Sequence, residues 1–382
     1  MQGRYSISDS ALNRAAEVAI KECLGIQPQE TVLIITNCSQ EVNVISRALY
    51  NAAAEAEARP TMVVQPRKSQ LEFAEQSVYA AIAANPEVVI SISEEKLGKD
   101  RRGVQSPYAH GVRSYDSVFH YLLYGKKSIR AFWSPRVTRE IFKTTVPIDY
   151  GRLRRHCRLL LPLLDEADGI EIRSPRGTEL FVGLAGRKAK ADDGDFSRPG
   201  LGGNLPAGEV FISPAVGTAE GRIVFDGSVA SADGVMLVRN VIEAEVKKGF
   251  VKEVRGGREA ETLLASITRA EEQCRTMEAE GSLPQGQGEV YARNTRHLGE
   301  LGIGLNPAAT ILGNMLCDEK VRGTCHLAIG YNYDEDAPAL IHLDGLIKAP
   351  TLTIILPGGR RQVIMEEGKF SGEATFRASG RS

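Results

Sequence analysis

The sequence predicts an α/β domain with a parallel sheet over residues 1–165, followed by an α+β domain with much antiparallel sheet over residues 166–382. Three observations predict it. At about 100–200 residues per domain, a chain of 382 residues accommodates two. Up to about residue 165 helical and strand-like segments alternate, as crossover units do. Beyond that point glycine and proline become dense and strand-like pieces crowd together.

In the first half, Ser8–Cys23 carries Ala11, Leu12, Ala15, Ala16, Val18 and Ala19 at helical spacing. Thr31–Thr36 is apolar on both faces, the mark of a strand inside a parallel sheet. Ser39 offers an N-cap to an alanine-rich helix over Val42–Glu57. Thr61–Gln65, Val88–Ser93 and Ile129–Trp133 read as further strands. The turn after the first strand, Thr36-Asn-Cys-Ser-Gln40, has no glycine-rich phosphate loop, and Lys99-Asp-Arg-Arg-Gly103 reads as a solvated loop.

In the second half, strands are expected near Gly169–Ile172, Glu179–Leu184, Glu209–Ser213, Arg222–Ser231, Val235–Glu245, Gly249–Val254, Glu300–Leu305, Thr324–Tyr331, Ala339–Leu346 and Thr351–Leu356. Lys247-Lys-Gly249 and Pro357-Gly-Gly-Arg360 are hairpin signals. One long helix is expected over Arg258–Glu280, and the small, polar tail from Ser371 is expected to fray.

Charge and composition exclude several classes. Lys plus Arg is 47 and Asp plus Glu is 48, so the net charge of −1 lacks the basic surplus of a nucleic-acid binder. No apolar run approaches the ~18 residues of a membrane span, and Met1–Ser10 lacks the apolar stretch of an export signal. A cytoplasmic protein is expected. The cysteines at 23, 38, 157, 274, 317 and 325 form no CxxC pair, so buried, reduced thiols are expected rather than disulfides or a thiolate zinc site.

Four segments could carry chemistry. In Ile341-His-Leu-Asp344, His342 and Asp344 stand at i and i+2, which share one face of a strand: a metal-ligand pair or a polar surface face. His326 lies in the apolar run Cys325–Ile329, where an imidazole is either a ligand or a hydrogen-bonded core residue. Glu209 and Glu300 each open an apolar, glycine-flanked strand, where a carboxylate needs a partner unless it faces water. Together, carboxylates and two imidazoles suit divalent cations.

The ordered motifs NLPAGEVFISP, RHLGELGIGLNP, DEKVRGTCHLAIGYNY and IHLDGLI, spanning about residues 200–346, resemble the aminopeptidase T and aminopeptidase S family of bacterial metallo-aminopeptidases. The resemblance implies two divalent ions (zinc, cobalt, manganese or magnesium) held by Glu209, Glu300, Glu319, His326, His342 and Asp344. It further implies Glu300 as bridging and catalytic carboxylate, Tyr333 as a catalytic hydroxyl with Tyr331 as its competitor, a peptide or small amide substrate, and a homodimer. The expected function is removal of N-terminal amino acids by metal-activated water. The chain departs from the family in a longer stretch between Glu209 and Glu300, a shorter one between His326 and His342, and a shifted Glu319. Ring-cleaving dihydroxypyridine dioxygenases resemble the same family and supply the alternative: one iron(II) held by two histidines and an aspartate, with a histidine where this chain has Glu300. A non-catalytic binding protein on the same fold is the third reading.

Overall fold

The computed structural model describes residues 5–69 and 72–371. Residues 1–4 of the N-terminal segment, and the tail from residue 372, lie outside the described residues. The chain divides into two compact units, Met1–Arg154 with Asp192–Ala207, and Arg155–Ala191 with Gly208–Ser382. The division falls inside one helix, Tyr150–Asp165.

The first unit is a five-stranded parallel sheet covered by helices. Strands β1 (Thr31–Asn37), β2 (Arg59–Gln65), β3 (Val88–Ser93), β4 (Arg130–Pro135) and β5 (Gly202–Asn204) lie in the order β5-β4-β3-β1-β2. The central β1 and β3 are buried almost throughout, which is why their apolar residues run without alternation. Leu33, Ile35 and Val89 pack with Val78 and Ile82 of the helix Gln76–Ala83. The N-terminal helix begins at Ser10, where the Asp9 side chain accepts the Leu12 N–H, and ends in a π-helical turn over Ala19–Cys23. Ser39 takes the N-cap position of the helix Gln40–Glu55, but its side chain makes no capping bond. Beyond β1, Asn37 donates to the carbonyls of Gln65 and Pro66 and accepts from the Glu94 N–H, tying three strand ends together. In the run Lys99–Gly103, Asp100 is buried and caps a short helix, a tighter structure than the expected loop.

The second unit contains two antiparallel sheets. One has eight strands in the order Phe250–Arg255, Ile242–Lys247, Glu220–Phe225, Glu179–Gly183, Gly169–Arg173, Thr351–Ile355, Arg361–Glu366 and Lys369–Phe370. The other contains β6 (Glu209–Ile212), β7 (Ser228–Ser231), β8 (Gly234–Leu237), β9 (Leu298–Gly304), β10 (Thr324–Gly330) and β11 (His342–Lys348), side by side as β8-β7-β11-β10-β9-β6. The fold class is therefore the expected one.

Two expected strands are each two strands. Arg222–Ser231 breaks at Asp226-Gly227, where both N–H groups donate to the Leu346 carbonyl and a Cβ on Gly227 would lie 2.8 Å from that of Leu346. Val235–Glu245 breaks where Val238 bonds back to Gly227, so its two parts also join different sheets. The six cysteines are free, but Cys38 is exposed, against the expectation that all are buried. Among the described residues no helix is long and apolar enough to cross a membrane.

Candidate metal centre

Four neighbouring strands bring the predicted side chains together. Glu209 opens β6, Glu300 lies on β9, His326 on β10, and His342 and Asp344 on β11. The register sets them in rows: Glu300 and Asp344 both oppose Ala328, His342 opposes Gly330, His326 opposes Gly302, and Glu209 opposes Gly304. Alternation along a strand puts these partners on the donor face. Glycine and alanine there leave the space into which longer donors from adjacent strands converge. A register irregularity between Leu298 and Glu300 re-aims β9 at the point where Glu300 leaves it.

The donor atoms form two groups that share Glu300: Glu209, Glu300 and His326, and Glu300, His342 and Asp344, with all atoms of each group within 4.8 Å. His326 Nε2 lies 3.0 Å from Glu300 Oε1 and 3.5 Å from Glu209 Oε2. His342 Nε2 lies 3.3 Å from Asp344 Oδ1 and 3.6 Å from Glu300 Oε2, while its Nδ1 bonds the Tyr331 carbonyl at 2.9 Å. That bond fixes the ring so that Nε2 faces the carboxylates.

The cluster fits a cation. Glu209 Oε2, Glu300 Oε2, Asp344 Oδ1 and His326 Nδ1 are buried and have no hydrogen-bond partner. Buried carboxylate oxygens without partners are costly, and a divalent ion with oxygen and nitrogen ligands is the countercharge that such a set accepts. The protonation pattern reports the same field. Burial pushes Glu209 up to about 8, against the pull of Lys320. Burial would lower His326 and His342, but Glu300 with Glu209 lifts the first to about 9, and Asp344 with Glu300 lifts the second to about 10. Asp344 falls to about 2, because His342 outweighs its burial. Without an ion, the carboxylates hold protons on the imidazoles that a metal would displace.

Two predicted residues stand differently. Glu319 belongs to neither donor group: its Oε1 lies 2.9 Å from Lys320 Nζ. Lys320 thus sits against a carboxylate that the resemblance implies as a metal ligand. Tyr333 holds its ring centroid 5.2 Å from that of His342, edge-on to Phe211 at 5.5 Å and to Tyr331 at 5.7 Å. The residue is 47% exposed, while burial pushes its hydroxyl well above the usual tyrosine range, so it stands at the edge of the cluster. The feature not foreseen is Lys320, fully buried with Nζ 2.5 Å from Glu209 Oε1. Its setting in Asp318-Glu-Lys-Val-Arg322 reads as a solvated charge run, and no local pattern signals its burial.

Residues 138–322 match the family described as NicX, 2,5-dihydroxypyridine 5,6-dioxygenase. A curated 2,5-dihydroxypyridine 5,6-dioxygenase from Pseudomonas putida is 32% identical over 101 residues, which is 26% of this chain and 29% of that protein's length. The solved 2,5-dihydroxypyridine dioxygenase from P. putida KT2440 superposes with a TM-score of 0.69 at 17% identity, covering 96% of this chain and 99% of the other. AmpT from Thermus thermophilus superposes at 0.64 with 20% identity, covering 94% and 98%. At these identities the two structures share the fold with this chain.

The comparisons correct the expected activity. Both sequence matches name a dioxygenase, an oxidoreductase, whereas the aminopeptidase likeness rests on structure alone. The hydrolase expectation is therefore overturned. The motif order that suggested it belongs to a fold that both enzyme types share, so it reports the scaffold of the cluster rather than its reaction.

Proposed function

We propose that the chain is a metal-dependent dioxygenase that opens a dihydroxylated pyridine-type ring, with Glu300, His342 and Asp344 holding the metal. The observation that carries this reading is the buried donor cluster with carboxylate oxygens that lack hydrogen-bond partners, set beside the Tyr333 ring. Support for the chemistry comes from the family match and the curated relative, whose substrate is a dihydroxypyridine by name. When bound, a redox-active ion such as iron(II) supplies the electronic coupling that lets ground-state dioxygen react with a closed-shell ring.

The chain's residues do the rest. Tyr331 orients His342 through its carbonyl, and His326 engages Glu300 Oε1, leaving Oε2 for the ion. Tyr333, Phe211 and Tyr331 form an aromatic wall on the open side, against which a planar ring stacks or packs edge-on. Burial of Glu209, Glu300 and His326 keeps water from that flank.

The test is oxygen uptake. Protein reconstituted anaerobically with iron(II) and given 2,5-dihydroxypyridine should consume oxygen in proportion to the loss of the ring's ultraviolet absorbance. Iron-loaded protein that consumes none with a panel of dihydroxylated pyridines and benzenes overturns the reading.

A further inference from the structure

We infer that the Lys320 ammonium is the site's built-in second cation: it occupies Glu209 and limits the centre to one divalent ion per chain. The inference rests on the metal-binding part of the function proposed above. The donor cluster has the size and shared carboxylate of a two-ion site, since Glu300 belongs to both groups. Yet one of those groups is already engaged. Lys320 Nζ sits 2.5 Å from Glu209 Oε1 and 2.9 Å from Glu319 Oε1, with no exposure to solvent. An ion between Glu209, Glu300 and His326 would have to share Glu209 with a fixed ammonium and meet its repulsion in a region that water does not screen. Lys320 also acts on Asp344, but less than His342 and His326 do, so the group Glu300, His342 and Asp344 meets the ammonium more weakly.

The placement is built into the backbone. The Lys320-Val321 segment lies directly on Gly304, the register partner of Glu209: a Cβ at Gly304 would fall 2.0 Å from the Val321 carbonyl oxygen. The Asn306 N–H donates to the Lys320 carbonyl at 2.8 Å, and the Lys320 N–H donates to that of Cys317. The lysine therefore enters from a tethered loop.

The experiment uses manganese(II) alone as the probe, with equilibrium dialysis for stoichiometry and electron paramagnetic resonance for coupling between ions. The parent should take up one equivalent and show no exchange coupling. Lys320→Met, which keeps an unbranched side chain one atom shorter and removes the charge, should take up a second equivalent with an exchange-coupled signal. Lys320→Arg should stay at one. A parent that binds two coupled ions overturns the inference whether or not the variants fold, and so does folded Lys320→Met that stays at one. A parent that binds none overturns the metal reading beneath it. Oxygen uptake is not read here, so a failed dioxygenase assay remains a separate result.

Discussion

Gly302 and His326 are register partners on adjacent strands, and the imidazole fills the space where a side chain at 302 would stand. A Cβ built on Gly302 would lie 2.1 Å from both Cε1 and Nε2 of His326. Gly302→Ala must therefore displace the ring and its bond to Glu300. We expect a folded protein, destabilised by roughly 1–3 kcal/mol as in other overpacked cores. Metal affinity should fall about 10–100-fold, the usual cost of disturbing a group that orients ligands. Calorimetric titration with manganese(II) checks this, and unchanged affinity would show that the position of His326 does not matter to the centre.

Glu300 distinguishes donor sets. With His342 and Asp344 it makes two carboxylates and one imidazole, whereas Glu300→His makes the two-histidine, one-carboxylate set typical of non-haem iron. Glu300→His should hold iron(II) after anaerobic reconstitution, and Glu300→Ala should not. Iron retained equally by Glu300→Ala would remove Glu300 from the ligand set.

Asp318 is a structural carboxylate two residues before Lys320. It is fully buried; its Oδ1 accepts the Leu312 N–H, and its Oδ2 accepts the N–H groups of Gly313 and Asn314 and the Ser228 hydroxyl. Asp318→Ala orphans these donors and should cost roughly 3 kcal/mol, given the penalties for unpaired buried groups. Urea unfolding of metal-free protein measures it. A change below the ~0.5 kcal/mol expected of a surface substitution would contradict this role.

His297 should give the fold an acid limit. It is fully buried, stacks edge-on to Phe250 and finds no hydrogen-bond partner for either ring nitrogen. Burial lowers it from 6.5 to about 4, helped by Arg187 and Arg293 and opposed by Asp336. Because its pKa is lower in the folded state, the unfolded chain binds the proton first as pH falls. Stability from this group is full above about pH 6.5, declines between 6.5 and 4, and is flat below, a loss of roughly 3 kcal/mol by linkage. Unfolding of the parent and of His297→Leu, both in chelator, should differ in pH dependence only in that window; parallel profiles would refute the assignment.

By itself the sequence determined the two-part fold class, the central strands β1 and β3, and the pairing of His342 with Asp344. Each is a local pattern: an apolar run that needs two covered faces, or two donors at the strand period. It also named Glu209, Glu300 and His326, because polar groups in apolar strands are out of place unless something answers them. Tertiary structure decided the rest. The return of residues 202–204 as β5 and the splitting of Arg222–Ser231 depend on which strand lies alongside, and a sequence does not carry that directly. Glu319 was implied as a ligand by the resemblance, whereas nothing in its own segment pointed to Lys320, whose ammonium the fold sets against a carboxylate from 111 residues away. Burial of a long charged side chain is a property of its neighbours rather than of its own segment, and so only the packed structure could place it.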